Sequence, residues 1–105
     1  MVRSFMRIIA RRTLRQFWEL SPANRAARTP LEFWQACTKA ADWSTPAELK
    51  ADFGDAFILK NGRVVFNIGG NKFRLVARIN YHYRVVYIRF VGTHREYDEI
   101  DADAI

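Results

Sequence analysis

The residues with most chemical promise gather in the second half of the chain. His94 carries an imidazole, the side chain most often used as a general acid or base. Lys72, Arg74 and Arg89 could hold phosphate oxygens through charge-assisted hydrogen bonds. Tyr97 follows His94 at helical spacing, where it could stack on a planar ligand or orient a phosphate; packed on a sheet, it would instead anchor the chain's end. Arg63, Arg78, Tyr87 and Arg95 extend the same cationic and aromatic set. Asn71, after Gly69-Gly70, reads first as turn chemistry and second as a ligand contact. His82, between Tyr81 and Tyr83, reads as an exposed hairpin tip outside any catalytic set. Cys37 stands alone, so it forms no internal disulfide and offers no zinc cluster. It reads as a small apolar residue, which fits a reducing compartment.

Charge strengthens the phosphate reading. The chain has 105 residues and a formal net charge of +6. No acid lies between Asp55 and Glu96, a stretch that holds Lys60, Arg63, Lys72, Arg74, Arg78, Arg84, Arg89 and Arg95. Arg3, Arg7, Arg11, Arg12 and Arg15 open the chain, again without an acid. Such a field attracts polyanions, and the planar fork of arginine matches phosphate oxygens better than lysine does. Arginine outnumbers lysine 13 to 4, which favours a nucleic-acid or phosphate partner over a merely solvated face. Glu96, Asp98, Glu99, Asp101 and Asp103 make an acidic tail, either solvated or folded back on the basic face.

These side chains need a scaffold, and the length suits a single domain, residues 1–105, with residues 1–5 as an extension and 99–105 as the acidic tail. No apolar run approaches the roughly 18 residues of a membrane span, and the N-terminus does not read as a secretory signal. Met6–Ala10 is predicted as a short strand. Leu14, Phe17 and Trp18 then mark the apolar stripe of a helix whose Arg11, Arg12 and Arg15 face away. Thr29-Pro30-Leu31-Glu32 reads as a helix cap opening a second helix, with Phe33, Trp34, Cys37 and Ala41 toward the core. Thr45-Pro46-Ala47-Glu48 repeats the device for a third helix, which Gly54 stops.

After Gly54 the period changes to two. Ala56–Lys60 and Arg63–Ile68 flank Asn61-Gly62, a tight-hairpin signal. Strands over Lys72–Asn80 and Tyr83–Val91 complete an antiparallel meander. Alternation places Val64, Phe66, Ile68, Phe73, Leu75, Ala77, Ile79, Val86, Ile88 and Phe90 beneath the helices. The other face then carries Arg63, Asn67, Lys72, Arg74, Arg78, Tyr87 and Arg89. The expectation is a sheet that is apolar on one side and cationic on the other, with His94 at the rim.

The run Arg63-Val64-Val65-Phe66-Asn67-Ile68-Gly69-Gly70-Asn71-Lys72-Phe73-Arg74-Leu75 resembles the sheet signature of HigB toxins, a branch of the RelE-like superfamily. So does Tyr87-Ile88-Arg89-Phe90-Val91-Gly92-Thr93-His94-Arg95-Glu96-Tyr97-Asp98, whose Gly-Thr-His-x-x-Tyr-Asp ending is the most specific element. Ala41-Asp42-Trp43 is similar too, and the resemblance runs from Met6 to about Asp101. It implies an α+β, RelE-like fold, with an N-terminal short strand and two to three helices packed on one face of a mainly antiparallel sheet. It further implies the toxin of a type II toxin–antitoxin pair, a cytoplasmic endoribonuclease that needs no metal or cofactor and touches no membrane. Such an enzyme cuts messenger RNA, often on the ribosome, and is silenced by a helix-turn-helix antitoxin of the HigA kind.

Cutting RNA in this way activates the ribose 2′-OH, stabilises a pentacoordinate phosphorane and protonates the departing 5′ oxygen. On this reading His94, Arg89, Lys72, Arg74 and Tyr97 form the catalytic set, and Arg63, Asn71, Arg78, Tyr87 and Arg95 contact RNA. A non-catalytic RNA- or ribosome-binding module could use the same face. A DNA-binding regulator is a weaker alternative, because no helix-turn-helix pattern is present and the bases lie on strands.

Overall fold

A computed structural model describes residues 5–105; of the predicted extension over residues 1–5, residues 1–4, Arg3 among them, lie outside the described residues. Strand β1 (Arg7–Ile9) leads into helix α1 (Arg11–Glu19), a 3-10 segment (Pro22–Ala27), α2 (Arg28–Ala40) and α3 (Pro46–Asp52). Strands β2 (Phe57–Ile58), β3 (Arg63–Ile68), β4 (Phe73–Asn80) and β5 (Val85–Thr93) follow, and a short α4 (His94–Tyr97) closes the run. The sheet order is β1-β5-β4-β3-β2. Only β1 pairs in parallel, with β5; the other pairings are antiparallel. The fold is α+β with helices against a mainly antiparallel sheet, as expected.

The helix layer follows from apolar spacing. α1 buries Leu14 and Phe17 while Arg11, Arg12 and Arg15 stay exposed. The second helix departs from expectation at its start. Ser21 caps the 3-10 segment by accepting the Asn24 N–H, and the chain passes without a break into α2 at Arg28. Thr29 and Pro30 therefore lie inside the first turn, where the missing proline N–H leaves no bond unmade. The core face of α2 is Leu31, Trp34 and Thr38, and Phe33 points out at 67% exposure. Cys37 is half-buried. Thr45 caps α3 as predicted, accepting from the Glu48 N–H. The Glu48 carboxylate takes hydrogen bonds from Ser44 and Thr45, which hold it below the usual carboxylate range.

Edge-to-face rings join the layers: Trp34 to Phe66 at 5.4 Å, Phe53 to Phe66 at 5.2 Å, and Trp43 to Phe53 at 5.9 Å. Asn61 and Gly62 adopt the positive φ angles of the predicted hairpin. A Cβ on Gly62 would meet the Ile79 carbonyl oxygen at 2.8 Å, so the turn needs glycine for space as well as conformation.

The predicted faces hold through β3 and β4 but fail in β5. Val76 pairs with Phe90, whereas Ala77 pairs with Ile88, so Arg89 is an extra residue and the strand bulges there. Beyond it the parity reverses. Val91 packs into the helix-side core, and Phe90, expected there, lies on the opposite face with Val65 and Val76. That second face is thus not uniformly cationic. Its apolar centre is covered by Tyr97, Ile100, Ala102 and Ile105 of the C-terminal segment, which folds back on the sheet.

Phe66 carries two of the ring contacts, so Phe66→Ala is expected to lower unfolding free energy by about 3–5 kcal/mol. Phe33→Ala should change it by less than about 0.5 kcal/mol. Urea unfolding of both variants checks the observed core face of α2 against the predicted one.

Candidate functional site

The β3–β4 turn and the start of α4 bring one group of candidates together. Gly69 and Gly70 take positive φ angles, φ 63° and 70°, and turn the chain so that Asn71 folds toward Arg74. Arg74 is buried, at 8% exposure. Its guanidinium donates to the Asn71 side-chain oxygen and, at 3.1 Å, to the Phe73 carbonyl. Among the described residues it has no carboxylate partner within 4.0 Å. Lys72 is exposed beside it, and its carbonyl accepts from the His94 backbone N–H at 3.0 Å.

His94 is positioned by a local capping device. Thr93 accepts from the Glu96 N–H at 3.1 Å, and the Glu96 carboxylate accepts from the Thr93 N–H at 2.8 Å. This capping box starts α4 directly at the strand end. Glu96 can fold back because Gly92 lies beneath it: a Cβ there would sit 3.0 Å from the Glu96 oxygen and 2.6 Å from the Phe90 ring. One turn on, Asp98 Oδ2 lies 3.1 Å from His94 Nδ1. A carboxylate can only accept, so it favours the tautomer with the proton on Nδ1 and leaves Nε2 as the ring's acceptor. Tyr97 packs its ring toward Phe90, centroids 6.5 Å apart, and so anchors the end of the chain. Arg95 is exposed on the same short helix.

The second group lies at the other end of the strands. Arg63, Arg78, Tyr87 and Arg89 line an open groove of about 910 Å³, together with Tyr81 and His82. Arg63 and Arg78 are paired across β3 and β4, and Tyr87 pairs with Arg78 on the other side. The Tyr81 hydroxyl is buried without a hydrogen-bond partner among the described residues, and burial raises its pKa, so the phenol keeps its proton. Arg63 Nε donates to the Ile105 carbonyl at 2.6 Å, which ties the tail to the rim of the groove.

The expected single cradle is therefore divided. Asn71, Lys72, Arg74, His94, Arg95 and Tyr97 share one end. Arg89 does not join them: it sits at the bulge in the groove with Arg63 and Arg78. Arg74 and Arg78 are four residues apart on one strand, about 13 Å at ordinary strand rise, and the tail crosses the sheet between the ends. Sequence reasoning missed Asp98 as the partner of His94, although its i+4 spacing in a capped helix was a usable signal. It also set His82 aside, whereas that residue lines the groove. Among the described residues, no group of three His, Cys, Asp or Glu side chains could hold a metal. No helix of those residues is long and apolar enough to cross a membrane.

A short parallel edge strand, helices on one face and a meander ending in a capped histidine turn define a RelE-like α+β protein with cations at both ends of its open face. Residues 27–100 match the HigB toxin family, described as the RelE-like toxic component of a toxin–antitoxin system, and the chain belongs to that family. It is 34% identical over 64 residues to the mRNA interferase HigB of Escherichia coli O6:H1, a match covering 59% of this chain and 62% of that protein. It is 46% identical over 55 residues to the mRNA interferase toxin HigB of Escherichia coli K12, covering 50% of this chain and 53% of the relative. The mRNA interferase HigB of Shigella flexneri matches to the same extent. The chain thus spans between about half and just under two thirds of the length of these curated relatives.

The contact to Asp98 makes a spectroscopic prediction. In Asp98→Asn the neutral His94 ring should lose its bias toward the Nδ1–H tautomer, moving its two imidazole ¹⁵N shifts toward each other. Unchanged shifts would mean that the carboxylate does not orient the ring.

Proposed function

We propose that this chain is the toxin of a type II toxin–antitoxin pair and acts in the cytoplasm as an mRNA interferase, a metal-free endoribonuclease that cuts translated messenger RNA at the ribosome. The observation that carries the reading is the company His94 keeps: an imidazole held by Asp98, beside exposed Lys72 and a buried Arg74 that no carboxylate neutralises. A phosphodiester supplies the missing anion.

In the reaction the ribose 2′-oxygen forms a bond to phosphorus as the bond from phosphorus to the 5′ oxygen breaks, leaving a 2′,3′-cyclic phosphate. The proton lost by the 2′-OH goes to a base, and the departing 5′ oxygen gains one from an acid. His94 handles one of these protons at Nε2 while Asp98 holds Nδ1. Arg74, fixed by Asn71, and Lys72 face the charge that builds on the phosphorane oxygens. Tyr97 acts as a positioning residue through its hold on the α4 turn. Arg95 contacts the RNA near the cut, and Arg63, Arg78, Tyr87 and Arg89 hold the strand farther along, the tyrosine by stacking. The partner that silences the toxin is a helix-turn-helix antitoxin of the HigA kind, encoded beside it.

The separation of the arginine groove from His94 favours one other reading, a module that binds RNA or the ribosome without cutting. A single substitution divides the two. His94→Gln should reduce mRNA cleavage, read by primer extension after induction, by a factor of about 10² or more, and abolish growth arrest. RNA affinity should stay within about twofold, since the groove and its phosphate contacts are intact. Full toxicity in that variant, with no cleavage in either protein, would favour the binding module.

A further inference from the structure

The helix side of the molecule carries a second cationic surface that the proposed reaction does not use. An open groove of about 580 Å³ runs beside α1 and α2 and is lined by Arg11, Arg12, Arg15, Gln16, Trp18, Glu19 and Gln35. Arg11 also lines an adjoining hollow of about 210 Å³ with Arg7 and Lys39, so the two form one track. All five cations are exposed. Arg15 is paired with Glu19 at 3.2 Å, whereas Arg7, Arg11, Arg12 and Lys39 have no ion-pair partner among the described residues. Helices on one face and the arginine groove on the other put the sheet between this track and the proposed catalytic end.

We infer that this track binds the sugar–phosphate backbone of double-stranded RNA. The choice of RNA over DNA rests on the proposed function; the choice of a duplex backbone rests on the surface. A single strand is held by aromatic platforms. Here the one ring is Trp18, half-buried, with the Arg28 guanidinium already 5.9 Å from its centroid. An acidic peptide docked on helices would seek apolar anchors. The exposed apolar side chains on this side, Phe5, Ile9, Leu20 and Phe33, line neither hollow, and only Phe5 comes near the track, in a separate hollow that it shares with Lys39. What remains is arginine, lysine and two glutamines, with the one lining carboxylate, Glu19, taken up by Arg15, and such groups read backbone and shape rather than sequence. Bound this way, the protein would sit with folded RNA on its helices and its open sheet face free for the strand to be cut.

The test neutralises three unpaired cations together, Arg11→Gln, Arg12→Gln and Lys39→Gln, all exposed and outside the core. Fluorescence anisotropy with a blunt RNA duplex should show affinity falling by about tenfold or more. The dependence of log affinity on log salt should become shallower by about two to three. Cleavage of messenger RNA by the variant under matched conditions gives an independent readout of the sheet face. Unchanged duplex affinity with an unchanged salt slope would overturn the inference. So would loss of polyglutamate binding with duplex affinity retained, because the track would then serve an acidic protein. If neither protein cuts RNA, the catalytic reading fails, while the duplex measurement still judges the helix face.

Discussion

One extra residue in β5 decides which way the rest of the chain faces. Side chains alternate along a strand, so accommodating Arg89 opposite Val76 and Ala77 reverses the parity of every position after it. Val91 goes into the helix-side core, and Phe90 goes to the open face, where the tail must cover it. Without that bulge Phe90 would point into the helix-side core, and the open face would lose an apolar anchor for Tyr97. The bulge residue is itself one of the arginines of the groove, so a single irregularity helps to shape both ends of the open face.

The elements were largely legible in the sequence because each carried a local signal. Thr45 before Pro46 marked a helix start, Asn61-Gly62 a hairpin, and alternation from Val64 to Ile79 a half-buried pair of strands. The failures over the bulge and the tail trace to contacts distant along the chain, whereas the start of α2 was decided locally. Thr29 is a sound capping residue that was overtaken by a preceding 3-10 turn, and Phe33, the neighbour of Trp34 in sequence, lies off the core face that Leu31, Trp34 and Thr38 form. A bulge leaves the composition of its strand untouched. Nothing in Val85–Thr93 alone reveals that its partner strand has one residue fewer in step. The tail was acidic enough to suggest solvent, yet Ile100, Ala102 and Ile105 pack on Val65 and Val76 while Asp101 and Asp103 remain exposed.

The same distinction applies to the site. Residue types were chosen from charge and from one motif, and those choices identify both ends of the open face. Their grouping depended on register, which is why Arg89, expected beside His94, lies in the groove with Arg63 and Arg78. Membership of the HigB family fixes the expected architecture across residues 27–100, a span that contains the bulge, the groove and the histidine turn. The order of residues along a strand then separates what the motif alone had merged.

Partner type, more than burial, tells the arginines apart. Arg84 is partly buried and bonded at 2.6 Å to the Asp42 carboxylate, while it also reaches the Tyr81 carbonyl. Its charge is neutralised within the fold, and it ties the β4–β5 turn to the loop ahead of α3. Arg74 is buried more deeply, yet its acceptors are an amide and a peptide oxygen, both neutral. Those bonds satisfy N–H groups without cancelling the charge, and a buried cation lacking a counter-ion is costly. A fold gains little from that arrangement by itself, since a hydrophobic residue would pack there at lower cost. On the proposed function a phosphodiester would supply the counter-charge, at the end of the open face where the Gly69-Gly70 turn, Lys72 and the His94 turn meet.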